Sequence, residues 1–235
     1  MITPICARVI RATPRTYNVK SIEVAIDSSI SFKAGQFLRV RLNNDKNLER
    51  YLSISNSPTE EGYLEFTKKI TASDFSVALS VLKPNDILSI EYPYGAFTLE
   101  RAGGSKIAFI SGGIGITPIR SMCKFAADKK LDLDIILLYA NNSVKDIVFL
   151  DDLKLMQKEY ERLRVVHILC ERDMEFSCVV GKINAEIIKK EIADYIDRSF
   201  FLCGPPSMVE SMKSLLIQEL NLPANKIITE NFQGY

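Results

Sequence analysis

Hydrophobic periodicity changes once along this chain, near residues 101–105, and that change limits the fold to two parts of different kind. Before it, short runs rich in β-branched residues alternate apolar and polar positions, as at 21–26, 37–42 and 87–91. Turn residues separate the runs at 27–29, 34–35, 43–45, 61–62 and 84–86. Strands so spaced, with little helical pattern between them, predict an antiparallel barrel or sandwich. Beyond Gly103-Gly104 the apolar runs become nearly continuous, at 106–111, 133–139, 163–169 and 199–203, as in strands covered on both faces. Helical stretches lie between or after them at 118–129, 148–160, 182–192 and 207–220. This alternation predicts right-handed crossovers and a parallel sheet of about five strands. The segment Arg101-Ala-Gly-Gly-Ser105 reads as a linker, giving domains 1–101 and 102–235.

Charge and cysteine usage remove several function classes. Thirty basic side chains against 29 acidic ones leave a formal net charge of +1. Such a balance provides no long-range field for a phosphate backbone, so no nucleic-acid partner is expected. The five cysteines are scattered without a C-x-x-C pair, and no metal site is expected. No stretch reaches about 18 uninterrupted apolar residues, and the N-terminus lacks the features of a signal peptide. The expectation is a cytoplasmic protein without a membrane span.

The strongest local signal is Ser111-Gly-Gly-Ile-Gly-Ile-Thr-Pro118, between a buried strand and a helix. Glycines there let backbone amides approach a pyrophosphate, and the helix start offers orphan N–H groups. Pro118 suits a first helical turn. A tight strand-to-helix turn is the plain alternative. Leu202-Cys-Gly-Pro-Pro-Ser-Met208 ends another strand and starts another helix, so both segments open onto one crevice. In the first part, Glu49-Arg-Tyr-Leu-Ser-Ile-Ser55 alternates Arg50, Leu52 and Ile54 against Tyr51, Ser53 and Ser55. One face so built stacks an aromatic ring on Tyr51 while hydroxyls meet its polar edge, and Arg50 clamps a phosphate. A surface strand with a hydroxyl ladder has the same sequence.

Taken together, an Arg-Tyr-x-Ser strand in a β domain, then Gly-Gly-x-Gly-x-Thr-Pro, then Cys-Gly-Pro-Pro-x-Met, resembles the ferredoxin-NADP reductase superfamily over essentially the whole chain. The resemblance implies an N-terminal antiparallel Greek-key β-barrel that binds FAD and a C-terminal Rossmann-like parallel α/β sheet that takes NADH or NADPH. It implies that Arg50 neutralises the FAD pyrophosphate, Tyr51 packs on the flavin, and the catalytic Ser53 hydroxyl hydrogen-bonds near the reactive flavin nitrogen, with Ser55 on the same strand face as a further cofactor contact. Lys68, Lys69 and Ile70 match a segment with backbone contacts to FAD, and Ser76 matches a hydroxyl on its pyrophosphate. Gly112, Gly113, Gly115, Thr117 and Pro118 line the nicotinamide nucleotide site in this reading, with Cys203, Gly204 and Pro205 beside the nicotinamide ring. The ending Glu230-Asn-Phe232 looks like the Glu-x-Phe of NADH-dependent oxygenase reductases, where Phe232 covers the flavin face and Glu230 relays a proton. A last edge strand with a frayed tail is the alternative there.

Two departures stand out. Ser73 occupies the place of a frequent Gly ahead of Ser76, and Cys178-Val-Val-Gly181 stands where Gly-x-x-Gly is usual. With no cysteine-rich extension after Tyr235, a built-in iron–sulfur cluster is not expected. After the second strand of the sheet, Asn141, Asn142 and Ser143 carry no charge and Lys145 is the nearby cation, which favours NADH over a 2′-phosphorylated donor. Asp146 and Asp151 read as helix-start residues, His167 as structural, and Lys124, Lys129 and Lys130 as a solvated helix face. The implied activity is hydride transfer from NADH or NADPH to FAD, then electron delivery to a separate acceptor: a ferredoxin, an oxygenase component, a cytochrome or a small molecule. The rivals are a free-flavin reductase, an electron-transfer subunit of a larger complex, and a non-catalytic nucleotide-binding module.

Overall fold

A computed structural model of the protein describes residues 4–26 and 31–231. Its first sheet contains β1 (Ile5–Thr16), β2 (Val19–Ala25), β3 (Phe37–Arg41), β4 (Glu49–Ser53), β5 (Tyr63–Lys69) and β6 (Ile87–Tyr94). All pairs are antiparallel and the order is β4-β3-β6-β1-β2-β5, with β6 inserted between β3 and β1. The open edges meet through a bridge between Ile54 and Phe66, and the Ser55 amide donates to the Glu65 carbonyl at 2.7 Å, so the sheet closes into a barrel. Period-two alternation decides what faces inward: Leu38 and Val40 of β3 join Val9, Ile22, Leu64, Phe66 and Ile90 in the core. A helix absent from the sequence reading, α1 (Asp74–Ser80), adds Phe75 and Leu79 to that core. At two turns it is too short to display a 3.6-residue period, and its start depends on the Ser73 cap over the Ser76 amide.

The second sheet is parallel throughout, built from β7 (Lys106–Gly112), β8 (Asp134–Asn141), β9 (Leu163–Leu169), β10 (Val179–Val180), β11 (Ser199–Gly204) and β12 (Ile227–Asn231). It has six strands rather than about five because the two-residue β10 adds to β9. The order is β10-β9-β8-β7-β11-β12. The chain therefore moves outward from β7 and returns to place β11 on β7's other side. Helices α2 (Ile116–Asp128) and α3 (Leu150–Glu159) cover one face, packing Ile119, Met122 and Leu153 with Ile107 and Phe109. Helices α4 (Ala185–Glu191) and α5 (Pro206–Gln218) cover the other, packing Ile188, Val209 and Leu216 with Ala108 and Ile110. Adjacent strand residues thus serve opposite faces, which is why these strands read as unbroken apolar runs.

The two parts share a core and a polar joint. Val19 and Phe97 pack into the cluster formed by α2, α3 and the parallel sheet. Arg120 of α2, 6% exposed, donates to the Ser55 carbonyl at 3.3 Å and ion-pairs with Glu60 of the barrel and with Asp152 of α3 at 2.8 Å. The Ser121 hydroxyl donates to the Asn56 carbonyl at 2.6 Å. Phe149 lies with Arg15 4.9 Å and Arg120 5.6 Å from its ring centre. Leu99–Ala102 forms a single 3-10 turn, and the Ala102 carbonyl accepts from the Ser199 hydroxyl, so the segment read as a linker is partly docked.

Candidate active site between barrel and parallel sheet

The reversal of strand order between β7 and β11 leaves a crevice at the carboxyl ends of the strands, where open parallel sheets bind ligands. A cleft of about 590 Å³ occupies this place. Gly112, Gly113, Asn141, Pro205 and Met208 line it from the sheet side, and Val19 and Lys69 from the barrel. Gly113 holds φ +52°, a left-handed conformation that disfavours any side chain. A Cβ at Gly115 would lie 2.6 Å from the Cys203 carbonyl carbon, so this glycine lets the start of α2 pass under the end of β11. Thr117 and Pro118 stay out of the cleft wall: both are buried, and the Thr117 hydroxyl donates to the Ile114 carbonyl at 3.1 Å, fixing the first turn of α2. Gly204 likewise packs against the Gly112 backbone and Met208.

Three cleft residues go beyond the sequence reading. Asn141 is 8% exposed, and neither its amide nitrogen nor its amide oxygen has a hydrogen-bond partner among the described residues. Met208 fills the space beside Gly112. Asp146 completes a capping box with Ser143, as its helix-start reading requires, and also faces the cleft. Partial burial pushes its carboxyl up, yet hydrogen bonds from Ser143 and Tyr17 and the charge of Lys69 outweigh this and hold it below its usual value. Strand register explains their place: Gly112 pairs with Ala140, so residues just past Ala140 lie at the glycine loop.

Cys203 sits in register between Ser111 on β7 and Glu230 on β12. Burial raises its thiol well above the ordinary value, with Glu230 adding to the effect, so it stays protonated. The Ser111 hydroxyl is buried without a partner among the described residues. Half-buried Glu230 has its carboxyl raised to about 7 by burial. Phe232 lies outside the described residues. Burial, then Lys154, lowers His167 to about 4, leaving a neutral ring packed near Tyr139 and Phe176.

On the barrel, Tyr51 is 53% exposed and meets Phe37 and Tyr94 edge-on at 5.7 and 6.0 Å, leaving an aromatic surface for a planar ligand. Ser53 Oγ is buried with no partner among the described residues. An uncompensated hydroxyl next to such a surface fits a polar ring edge. Arg50 lies 5.5 Å from the Phe75 ring of α1. Burial, followed by the charge of Arg50, lowers the pKa of Lys68, so two cations converge near α1. Ser76 Oγ stands 3.1 Å from both Thr71 and Ser73 hydroxyls, making Ser73 part of the loop's hydroxyl cluster. Ile70 packs against the barrel core. Ser55 is not brought to this surface. Regular pairing ends at Ser53, and the Ser55 hydroxyl turns inward to Glu65 at 2.7 Å and Thr67 at 2.9 Å. Residues able to accept FAD are therefore Arg50, Tyr51, Ser53, Lys68 and Ser76.

Among the described residues no His, Cys, Asp and Glu side chains gather as a metal site, and no helix is long and apolar enough to cross a membrane. A family model described as an oxidoreductase FAD-binding domain matches residues 7–99, and an oxidoreductase NAD-binding domain matches residues 109–214. The glycine betaine monooxygenase reductase subunit of Pseudomonas aeruginosa is 29% identical over 89% of this chain and 59% of its own length. The phenol hydroxylase P5 protein of Acinetobacter pittii is 28% identical over 96% of this chain and 65% of its own. This chain thus spans about three-fifths of the length of the curated relatives it matches. Among solved structures, the ferredoxin NADP+ reductase of Neisseria gonorrhoeae with bound FAD and NADP superimposes with a TM-score of 0.83 at 19% identity, covering 99% of this chain and 100% of that one. The cytochrome b5 reductase domain of Ulva prolifera nitrate reductase gives 0.85 at 19% identity, covering 97% of each. With the two domain matches in chain order over a barrel and a parallel sheet, the protein belongs to the ferredoxin-NADP reductase superfamily.

Proposed function

We propose that this chain is an NADH-dependent flavoprotein reductase that delivers electrons to a separate acceptor protein, with FAD held by residues 1–101 and the nicotinamide nucleotide by residues 102–235. The observation that carries the reading is the switch-point cleft, walled by Gly112, Gly113 and Asn141 on one side and by the barrel's Val19 and Lys69 on the other. FAD, when bound, supplies a centre that accepts a hydride and releases electrons singly or in pairs. Arg50 and Lys68 neutralise its pyrophosphate, Tyr51 packs on its ring system, and the buried Ser53 hydroxyl finds its missing partner there. The glycine loop and Asn141 bind the nicotinamide nucleotide, while Pro205 and Met208 bound its path along the end of β11. Cys203 stays neutral and supports the position beneath the ring. Glu230, with a carboxyl near neutrality, holds a proton at its side-chain oxygen close to the reacting region. Positioning and water exclusion account for the rate, with no nucleophile required.

The donor is NADH because the cleft presents the Asp146 carboxylate near the glycine loop, where it accepts from a ribose hydroxyl and repels a 2′-phosphate. Lys145 is exposed and does not line the cleft. The names of the relatives support an oxygenase component as the acceptor. The five cysteines are unpaired, which suits a reducing compartment such as the cytoplasm.

The test is the visible spectrum of the purified protein, followed by anaerobic titration with NADH and with NADPH. A yellow protein bleached faster by NADH is expected. A colourless protein that neither binds added FAD nor reduces free flavin would overturn the proposal.

A further inference from the structure

The Asp146 carboxylate is held from two parts of the molecule. On its own side, Ser143 donates to Oδ2 through its amide at 3.1 Å and its hydroxyl at 2.8 Å. The other oxygen, Oδ1, accepts from the Tyr17 hydroxyl at 2.9 Å, 129 residues away in sequence. Tyr17 is 75% exposed and lies in the turn joining β1 to β2, so packing does not explain the side chain's place. That turn is firmly anchored: Thr16 pairs with Val19, and the Ile70 amide donates to the Asn18 carbonyl at 2.7 Å. The neighbouring Val19 and Lys69 both line the nucleotide cleft, and the charge of Lys69 acts on Asp146.

A carboxylate offers about four lone-pair sites, of which three donors here occupy three. The remaining site on Oδ1 suits one ribose hydroxyl. A 2′-phosphate has no proton to donate there at neutral pH and meets a fixed negative charge. With Oδ1 untied, the carboxylate is free to turn away, and Lys69 is released to attract that same phosphate. Resting on the reading of this cleft as the site of NADH, we propose that Tyr17 is a specificity-determining positioning residue: its hydroxyl reaches from the barrel to the Rossmann-like domain and fixes Asp146 to accept the ribose diol of NADH and exclude NADPH.

The experiment measures dissociation constants of NADH and NADPH by calorimetry for the flavin-loaded wild type, Tyr17→Phe, Asp146→Ser and the double variant. The expected result for Tyr17→Phe is about tenfold weaker NADH binding, in the range of one lost hydrogen bond to a charge, with NADPH binding unchanged or tighter. In the Asp146→Ser background the same Tyr17 change should do nothing further, whereas a general structural role would persist there. An unchanged NADH-to-NADPH ratio in Tyr17→Phe, with a shifted ratio in Asp146→Ser, overturns the role of Tyr17 alone. Tighter NADH binding in Tyr17→Phe also overturns it, since the hydroxyl would then compete with the ribose. Failure of Asp146→Ser to move the ratio removes the Asp146 assignment and this inference with it. Failure of the wild type to bind either nucleotide removes the nucleotide-site reading itself.

Discussion

Glu230 shows how one buried carboxyl links pH to stability. Its folded pKa of about 7 lies above the ordinary 4.5, because burial disfavours the charge. Below about pH 4.5 the group is protonated whether the chain is folded or unfolded, and it costs nothing. Between about pH 4.5 and 7 the unfolded chain releases this proton while the folded protein keeps it, so stability falls across that window and the loss is complete once pH has passed through the folded value. Glu230→Gln is therefore expected to raise stability at pH 8 by about 1–2 kcal/mol, a value discounted for solvent reaching a half-buried group, and to leave it unchanged at pH 4. Urea unfolding at both pH values checks this, and an equal effect at both would exclude the linkage. At this scale the sequence is uneven evidence. Over Arg50, Tyr51 and Ser53 the unbroken register of β4 with β3 keeps the alternation that the sequence pattern implies. Ser55 is misleading because pairing stops two residues earlier and its hydroxyl is drawn into the barrel by Glu65 and Thr67. Asp146 hides its place at the cleft, since a residue that caps a turn looks the same whether or not a cleft lies beyond it.

Among the elements, the turn from β7 into α2 carries the tightest constraint. The backbone at Gly115 passes so close to the end of β11 that an added methyl would meet the Cys203 carbonyl and the Gly204 Cα. The expected effect of Gly115→Ala is a loss of about 2–3 kcal/mol from overpacking, with displacement of β11 from the cleft. Denaturant unfolding and calorimetric nucleotide binding check the two effects, and wild-type values in both would remove the constraint. Long helices and doubly covered strands are legible because their periods extend over many residues: helix 116–128 stands against an expected 118–129, and 206–218 against 207–220. The short elements α1 and β10 are not, since seven residues are too few to display a helical period and two residues take their form from pairing with β9.

For the molecule as a whole, the joint centred on Arg120 matters most. Its guanidinium, buried among Glu60, Asp152 and the Ser55 carbonyl, ties α2 to the barrel and to α3. Arg120→Ala leaves two carboxylates with little solvent and no cation, and should cost about 3 kcal/mol. Arg120→Lys should restore only part of this, because an ammonium cannot bridge all three acceptors in the fork geometry of arginine. Thermal unfolding gives the loss, and small-angle scattering shows whether the two parts spread; an undisturbed melting temperature in Arg120→Ala would exclude the joint. The sequence indicates two parts in the right order, but not this joint, which ties Arg120 to barrel residues 60 and 65 positions away. The strand order also bears on how the chain is made. Because β11 lies between β7 and β12, a ribosome must deliver the chain to residue 204 before the central gap can fill. Until then β7 has an apolar edge without its neighbour, and a nascent chain at that stage is exposed to mispairing with other chains. Translation speed through residues 113–198, together with chaperones that shield such an edge, is therefore expected to affect the yield of folded protein at a step separate from the stability of the finished fold.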